Sequence, residues 1–164
     1  MENVKNLKKS KIRGNQMYKP KYFKAYELVS KAVYNRFGDT SIKFMDKELL
    51  MTLDVIREYF GKPVNVNNWK TGGGLSQRGF RENISQIVKD KTAKGTLYLS
   101  AHTLGKGVDF HINGLSPREI VDGILSNRKK FPFITRIEDP RDTPTWVHID
   151  VMHTGKDGVE IFRG

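Results

Sequence analysis

The chain contains no cysteine, which excludes disulfides and thiolate metal sites and leaves His, Asp and Glu as the side chains able to grip a transition metal. It has only 4 histidines among 164 residues, so any imidazole site must be drawn from a short list. No apolar run is long enough to cross a bilayer, and residues 1–20 lack the apolar centre of a secretory signal despite their lysines. The chain is therefore expected to be cytoplasmic as synthesised, with no transmembrane segment. Acidic residues are the scarcer charge, 18 Asp and Glu against 29 Lys and Arg, for a formal net charge of +11. No phosphate-binding loop, zinc-finger spacing or RNA-binding aromatic signature accompanies that charge, so specific nucleic-acid binding is not expected. Coiled-coil and self-pairing patterns are also absent, and a monomer is expected.

The excess positive charge points instead to attraction to a polyanionic partner, such as an anionic cell wall. Much of it lies in Lys5, Lys8, Lys9, Lys11, Arg13 and Lys19, within a basic leader expected to be flexible over residues 1–20. Residues 21–164 read as one domain, because a hydrophobic content of 37% and this length suit a single core.

Periodicity predicts a helix over Tyr22–Phe37, closed by Gly38, and a second over Lys47–Phe60, capped by Asp46 and ended by Gly61. Pro63–Trp69 alternates like a short strand, and Gly72-Gly73-Gly74 reads as a turn. Thr96–Ser100 is expected to be extended and Val108–Ile112 a strand. Ser116-Pro117-Arg118-Glu119 is a capping-box start for a helix to about Asn127. Ile134–Ile137, Trp146–Met152 and Val159–Phe162 read as further strands between turn residues. Helices first and strands later predict an α+β fold, a small antiparallel sheet covered by helices.

The segment most suggestive of chemistry is Ser100-Ala101-His102-Thr103-Leu104-Gly105-Lys106-Gly107-Val108-Asp109, with Trp146-Val147-His148 further on. Two imidazoles and a carboxylate can hold one zinc ion and leave its fourth position open. Gly105 and Gly107 permit a loop that folds back into a strand. On the later strand, alternation puts His148 and Asp150 on one face, with Val147 and Ile149 pointing into the core.

These residues resemble the Ser-x-His-x-x-Gly-x-Ala-x-Asp signature of the D-alanyl-D-alanine carboxypeptidase-like zinc metallopeptidases, a group with the hedgehog-type fold that includes many phage endolysins. Trp146-Val147-His148 is similar to that family's third-ligand strand, and the resemblance extends over roughly Leu49 to Val151, with Gly107 standing where alanine is usual. It implies zinc as cofactor, with His102, Asp109 and His148 as ligands. It further implies a carboxylate shortly before the third ligand as general base. Asp142 has the matching spacing, and Glu138 and Asp139 are the alternatives. Gly79-Phe80-Arg81 resembles the family's Gly-Tyr-Arg segment, which makes Arg81 the residue expected to contact substrate and stabilise an oxyanion, although Arg78 lies close enough to compete for that role. Ser100 is expected to shape the ligand loop through its hydroxyl, and His111 and His153 fall outside the motif.

The function implied is a peptidase that cleaves peptidoglycan stem peptides as a carboxypeptidase or endopeptidase, a phage-type cell-wall hydrolase reaching its substrate after release or as part of a virion. The alternative is a non-catalytic binding or structural protein, virion-associated, that retains the fold, since a fold alone does not establish an activity.

Overall fold

The computed structural model describes residues 17–95 and 97–164; residues 1–16 of the expected leader lie outside this range. The helices are α1 (Ala25–Leu28), α2 (Lys31–Phe37), α3 (Lys47–Phe60), α4 (Gln86–Ala93) and α5 (Pro117–Ser126). The strands are β1 (Val64–Asn65), β2 (Gly107–Ile112), β3 (Arg136–Glu138), β4 (Val147–Asp150) and β5 (Glu160–Phe162), joined in one sheet of order β1-β2-β4-β3-β5. The architecture is α+β, as the order of helical and strand-like segments predicts.

The core forms between α3, α5 and one face of this sheet. Asp46 caps α3 by accepting the Glu48 N–H, and Gly61 ends it in the left-handed conformation. The stripe Leu49, Leu50, Leu53 and Ile56 is fully buried. It belongs to the same apolar cluster as Val108, Phe110 and Ile112 of β2, Ile137 of β3 and Val147 and Ile149 of β4. Helix α5 begins with the predicted capping box, Ser116 and Glu119 each accepting the other's backbone N–H, and contributes Ile120, Val121 and Ile124. Because strand side chains alternate, placing these apolar residues on the core face turns Asp109, His111, Glu138, His148 and Asp150 toward the opposite face.

Three strand pairings are antiparallel, and one departs from the expected sheet: β3 pairs with β5 in parallel. Strand β5 returns in the direction opposite to β4 but lands outside β3, so it runs alongside β3 in the same sense. The other differences are local. The helix expected over Tyr22–Phe37 is broken, because Val29 is extended and bridges to Phe80, while Ser30 caps a separate α2 by accepting the Val33 N–H. The Ser30 hydroxyl also donates to Glu82 at 2.5 Å, a long-range contact that periodicity does not reveal. The strand expected over Pro63–Trp69 is reduced to two residues, since Asn67 turns its side chain to the Val29 carbonyl and the Arg78 N–H. For the extended run expected over Thr96–Ser100, Thr96 lies outside the described residues. Leu97 to Ser100 joins no strand, with Leu97 86% and Leu99 64% exposed.

The segment preceding α1 is anchored to α3 by one buried carboxylate. Asp54 accepts from the Tyr18 hydroxyl at 2.8 Å and from the backbone N–H groups of Lys21 at 2.7 Å and Tyr22 at 3.2 Å. Burial together with the Asp54 hydrogen bond pushes the Tyr18 phenol up to about 12. An Asp54→Ala variant leaves these donors without their acceptor and is expected to lose about 2 kcal/mol or more of stability in a urea melt. The Tyr18→Phe variant is expected to lose less.

Candidate metal centre

Strand register builds the centre. Asp109 of β2 sits directly opposite His148 of β4, and cross-strand partners in an antiparallel pair project side by side from the same face. His148 Nδ1 accordingly lies 2.8 Å from Asp109 Oδ1. His102 arrives from the turn before β2, bringing its Nε2 to 3.3 Å from the same oxygen. All three residues are buried, and one ligand atom from each falls within 4.8 Å of the others.

Each imidazole is oriented by its other nitrogen. His102 Nδ1 lies 2.9 Å from the Gly79 carbonyl, which can only accept, so that nitrogen carries the proton and Nε2 presents a lone pair to the centre. His148 Nε2 lies 3.2 Å from Asp150 Oδ2, and a proton on Nε2 leaves Nδ1 free as a ligand atom. Asp150 is itself fully buried, opposes Arg136 across β3 and β4, and receives the Arg136 guanidinium in a bidentate pair. A ligating histidine backed by a carboxylate or a carbonyl is the arrangement metal sites use to fix tautomer and ring orientation.

The electrostatics favour a cation at the centre. Burial opposes ionisation of Asp109, yet the imidazoles of His102 and His148 beside it outweigh burial and hold its carboxyl well below the usual range. Burial likewise opposes charge on His148, but hydrogen bonds to Asp109 and Asp150 dominate and push it up to about 9, so without a metal both ring nitrogens carry protons and an ion takes the place of the one on Nδ1. His102 is lowered, chiefly by desolvation, which suits a neutral donor. Arg81 completes the set by donating from Nη2 to Asp109 Oδ2 at 2.9 Å and from Nε to the Gln77 carbonyl at 2.6 Å. With Oδ2 engaged, Oδ1 is the oxygen turned to the imidazoles. The donor chemistry and the two outer partners fit a metal ion.

The ligand loop is fixed by close approaches. Gly105 has φ 68°, and a Cβ there would lie 1.9 Å from the Phe44 carbonyl oxygen, so only glycine lets the loop rest on the segment that leads into α3. The Gly105 carbonyl accepts the Asp46 N–H at 2.8 Å, and Lys106 Nζ pairs with Asp46 at 2.7 Å. Ser100 Oγ accepts the Thr103 N–H at 3.3 Å, the loop-shaping contact expected of it. Gly107 is needed for space, since a Cβ there would sit 2.6 Å from Ala101 Cβ and 3.2 Å from His148 Cε1.

The centre opens on a cleft of about 460 Å³ whose lining includes Arg81, Tyr98, Glu138, Trp146 and Phe162. Of the three carboxylates considered as general base, the structure brings only Glu138 to this cleft. Asp142 does not line it, and its Oδ2 accepts from Arg163 Nε at 2.5 Å. Asp139 is clasped by the Arg141 guanidinium. Among the described residues the Glu138 carboxyl has no hydrogen-bond or ion-pair partner, and its pKa is raised, mainly by burial and further by Asp109 and Asp142, against the opposing pull of His148. Sequence spacing selects Asp142, but the strand continues through Glu138 and turns at Asp139, which carries Asp142 away from the cleft. His153 is exposed and apart from the centre, and His111 contacts Arg78. Asp150, Tyr98 and Arg136 have no expected role at the level of sequence. Asp150 alone carries a local signal there, sharing a strand face with His148. No protein-family model matches the chain, nor does any curated protein or solved structure.

Two outcomes are expected. Zinc, used as a probe ion, should bind one equivalent per chain and raise the melting temperature, with about 2.7 kcal/mol of stabilisation at a hundredfold excess over Kd. His102→Ala and His148→Ala should abolish that shift, as read by differential scanning fluorimetry alongside metal analysis. Gly107→Ala should lower thermal stability and weaken zinc binding together, because the added methyl forces Ala101 and the His148 ring apart.

Proposed function

We propose that the protein is a zinc-dependent peptidase that cleaves peptidoglycan stem peptides, a cell-wall hydrolase of the phage type. The observation that carries this reading is the meeting of His102, Asp109 and His148 at the floor of a cleft whose wall holds the Glu138 carboxyl, which has no hydrogen-bond or ion-pair partner among the described residues. A structural metal site has no need of an adjacent free carboxyl; a hydrolytic one does. The motif resemblance around His102 and Asp109 points to the same chemistry.

His102 Nε2, Asp109 Oδ1 and His148 Nδ1 are the atoms that would hold the ion. When bound, zinc supplies a Lewis acid that polarises a carbonyl and acidifies water. We assign Glu138 as the group that takes a proton from the attacking water and delivers it to the leaving amine. Its raised pKa brings its proton affinity nearer to neutrality, where such a shuttle works best. Arg81 positions Asp109 through Nη2, and Nη1, which has no protein partner among the described residues, is the donor available to a substrate oxygen. Trp146 and Tyr98 supply apolar walls that hold a peptide. The net charge of +11 would keep the protein on an anionic wall.

Digestion of purified peptidoglycan, with mass spectrometry of the released fragments, tests the reading. Zinc-loaded protein should release stem-peptide fragments. Glu138→Gln should slow release by about a hundredfold or more, while Asp142→Asn should stay within a few-fold of the parent. The opposite ranking would return the base to Asp142. No fragments from any of several wall chemistries would overturn the peptidase reading in favour of a non-catalytic binding or structural protein.

A further inference from the structure

Beyond Asp109 the cleft continues into a second cavity of about 250 Å³, which shares Arg81, Asp109 and Trp146 with the first and adds Gln77 and Arg78. Arg78 is the unusual member. Arg81 and Arg136 are paired with buried carboxylates, and Arg128 gives two nitrogens to the Phe131 and Ile134 carbonyls. The Arg78 guanidinium has no carboxylate within ion-pair distance among the described residues, although it is partly buried and burial works against its charge.

Its position is nonetheless tightly set. The Arg78 carbonyl accepts the Asp109 N–H at 2.7 Å, which ties it to the ligand strand, and its own N–H donates to Asn67 Oδ1 at 3.0 Å. The guanidinium lies over the Trp146 ring, 6.0 Å from the centroid, and Nη1 donates to His111 Nδ1 at 2.9 Å. A guanidinium only donates, so His111 Nδ1 is the acceptor in this contact, and it orients the cation without supplying a negative charge to neutralise it. Among the described residues Nε and Nη2 have no protein acceptor. A planar cation held over an indole with an edge of donors free matches the geometry of a carboxylate.

We propose that Arg78, held by His111 and Trp146, forms a subsite for a carboxylate of the bound substrate. A single negative charge suits the place better than a phosphate dianion, because Asp109 lines the same cavity. The assignment rests on the peptidase reading for what surrounds that carboxylate, a peptide whose scissile bond lies at the metal centre. It adds that the enzyme reads one carboxyl of the stem peptide and discriminates against its amide.

The test uses synthetic stem peptides in which each carboxyl in turn is free or converted to the carboxamide. Binding is measured by calorimetry to the zinc-loaded Glu138→Gln protein, and cleavage with the zinc-loaded parent. One acid form is expected to bind, and to be cleaved by kcat/KM, about tenfold or more better than its amide. Adding Arg78→Gln to either protein should erase that preference by weakening the acid form alone, with the zinc-induced thermal shift unchanged as proof of folding. Arg78→Lys should restore part of it. A preference that survives Arg78→Gln, equal loss for acid and amide, or no preference or binding at all would overturn the subsite. Acid-selective binding that depends on Arg78, without cleavage of any peptide by the parent, would keep the subsite and overturn the peptidase reading.

Discussion

A single buried carboxylate, Asp109, is the constraint on which the rest of the site depends. An ionised carboxylate with little access to water is costly unless its lone pairs are engaged, and here the solution draws on three separate parts of the chain. Oδ1 faces His148 of β4 and His102 of the preceding turn, and Oδ2 takes the Arg81 guanidinium. The Asp109 N–H, in turn, is bonded to Arg78 O. Removing Arg81 or His148 would strip a compensating partner from a carboxylate that meets solvent only at the edge of the cleft. The arrangement is thus self-consistent only when all the parts are present, which is how a shallow cleft can hold its polar groups rigidly.

The same strands serve the core and the site without compromise. Val108, Phe110, Val147 and Ile149 point one way into the apolar cluster, and Asp109, His148 and Asp150 point the other. A one-residue slip of β2 against β4 would place aliphatic side chains in the cleft and carboxylates in the core. The burial that stabilises the sheet therefore also enforces the register that aligns the ligands. Gly107, opposite Asp150 and beside Ala101, provides the gap in which His148 fits.

Much of this was legible in the sequence where the physics is local. The Asp46 cap, the leucine stripe of α3 and the Ser116–Glu119 box are patterns of a few residues, and they mark α3 and α5 to within a residue. The grouping of His102, Asp109 and His148 was legible from motif and alternation. What escaped depends on distant partners. Ser30 interrupts a periodic stretch because Glu82 and Phe80 lie beside it, and α4 buries little beyond Val88 and so writes only a faint pattern. The parallel placement of β5 is a matter of which side of β3 it joins, which its three residues cannot encode. Asp142 and Glu138 are separated by a turn, and sequence spacing does not show which side of that turn faces the metal centre.

Gly79 joins two layers through its backbone. Its missing Cβ would lie 1.9 Å from the Leu28 carbonyl oxygen, while its own carbonyl orients His102. One residue is thus pressed against the helical layer on one side and sets a ligand's tautomer on the other. An ion bound through His102 would therefore be joined to the α1–α2 corner by the backbone of a single residue. Such an ion would brace the helical layer through that backbone as well as the floor of the cleft.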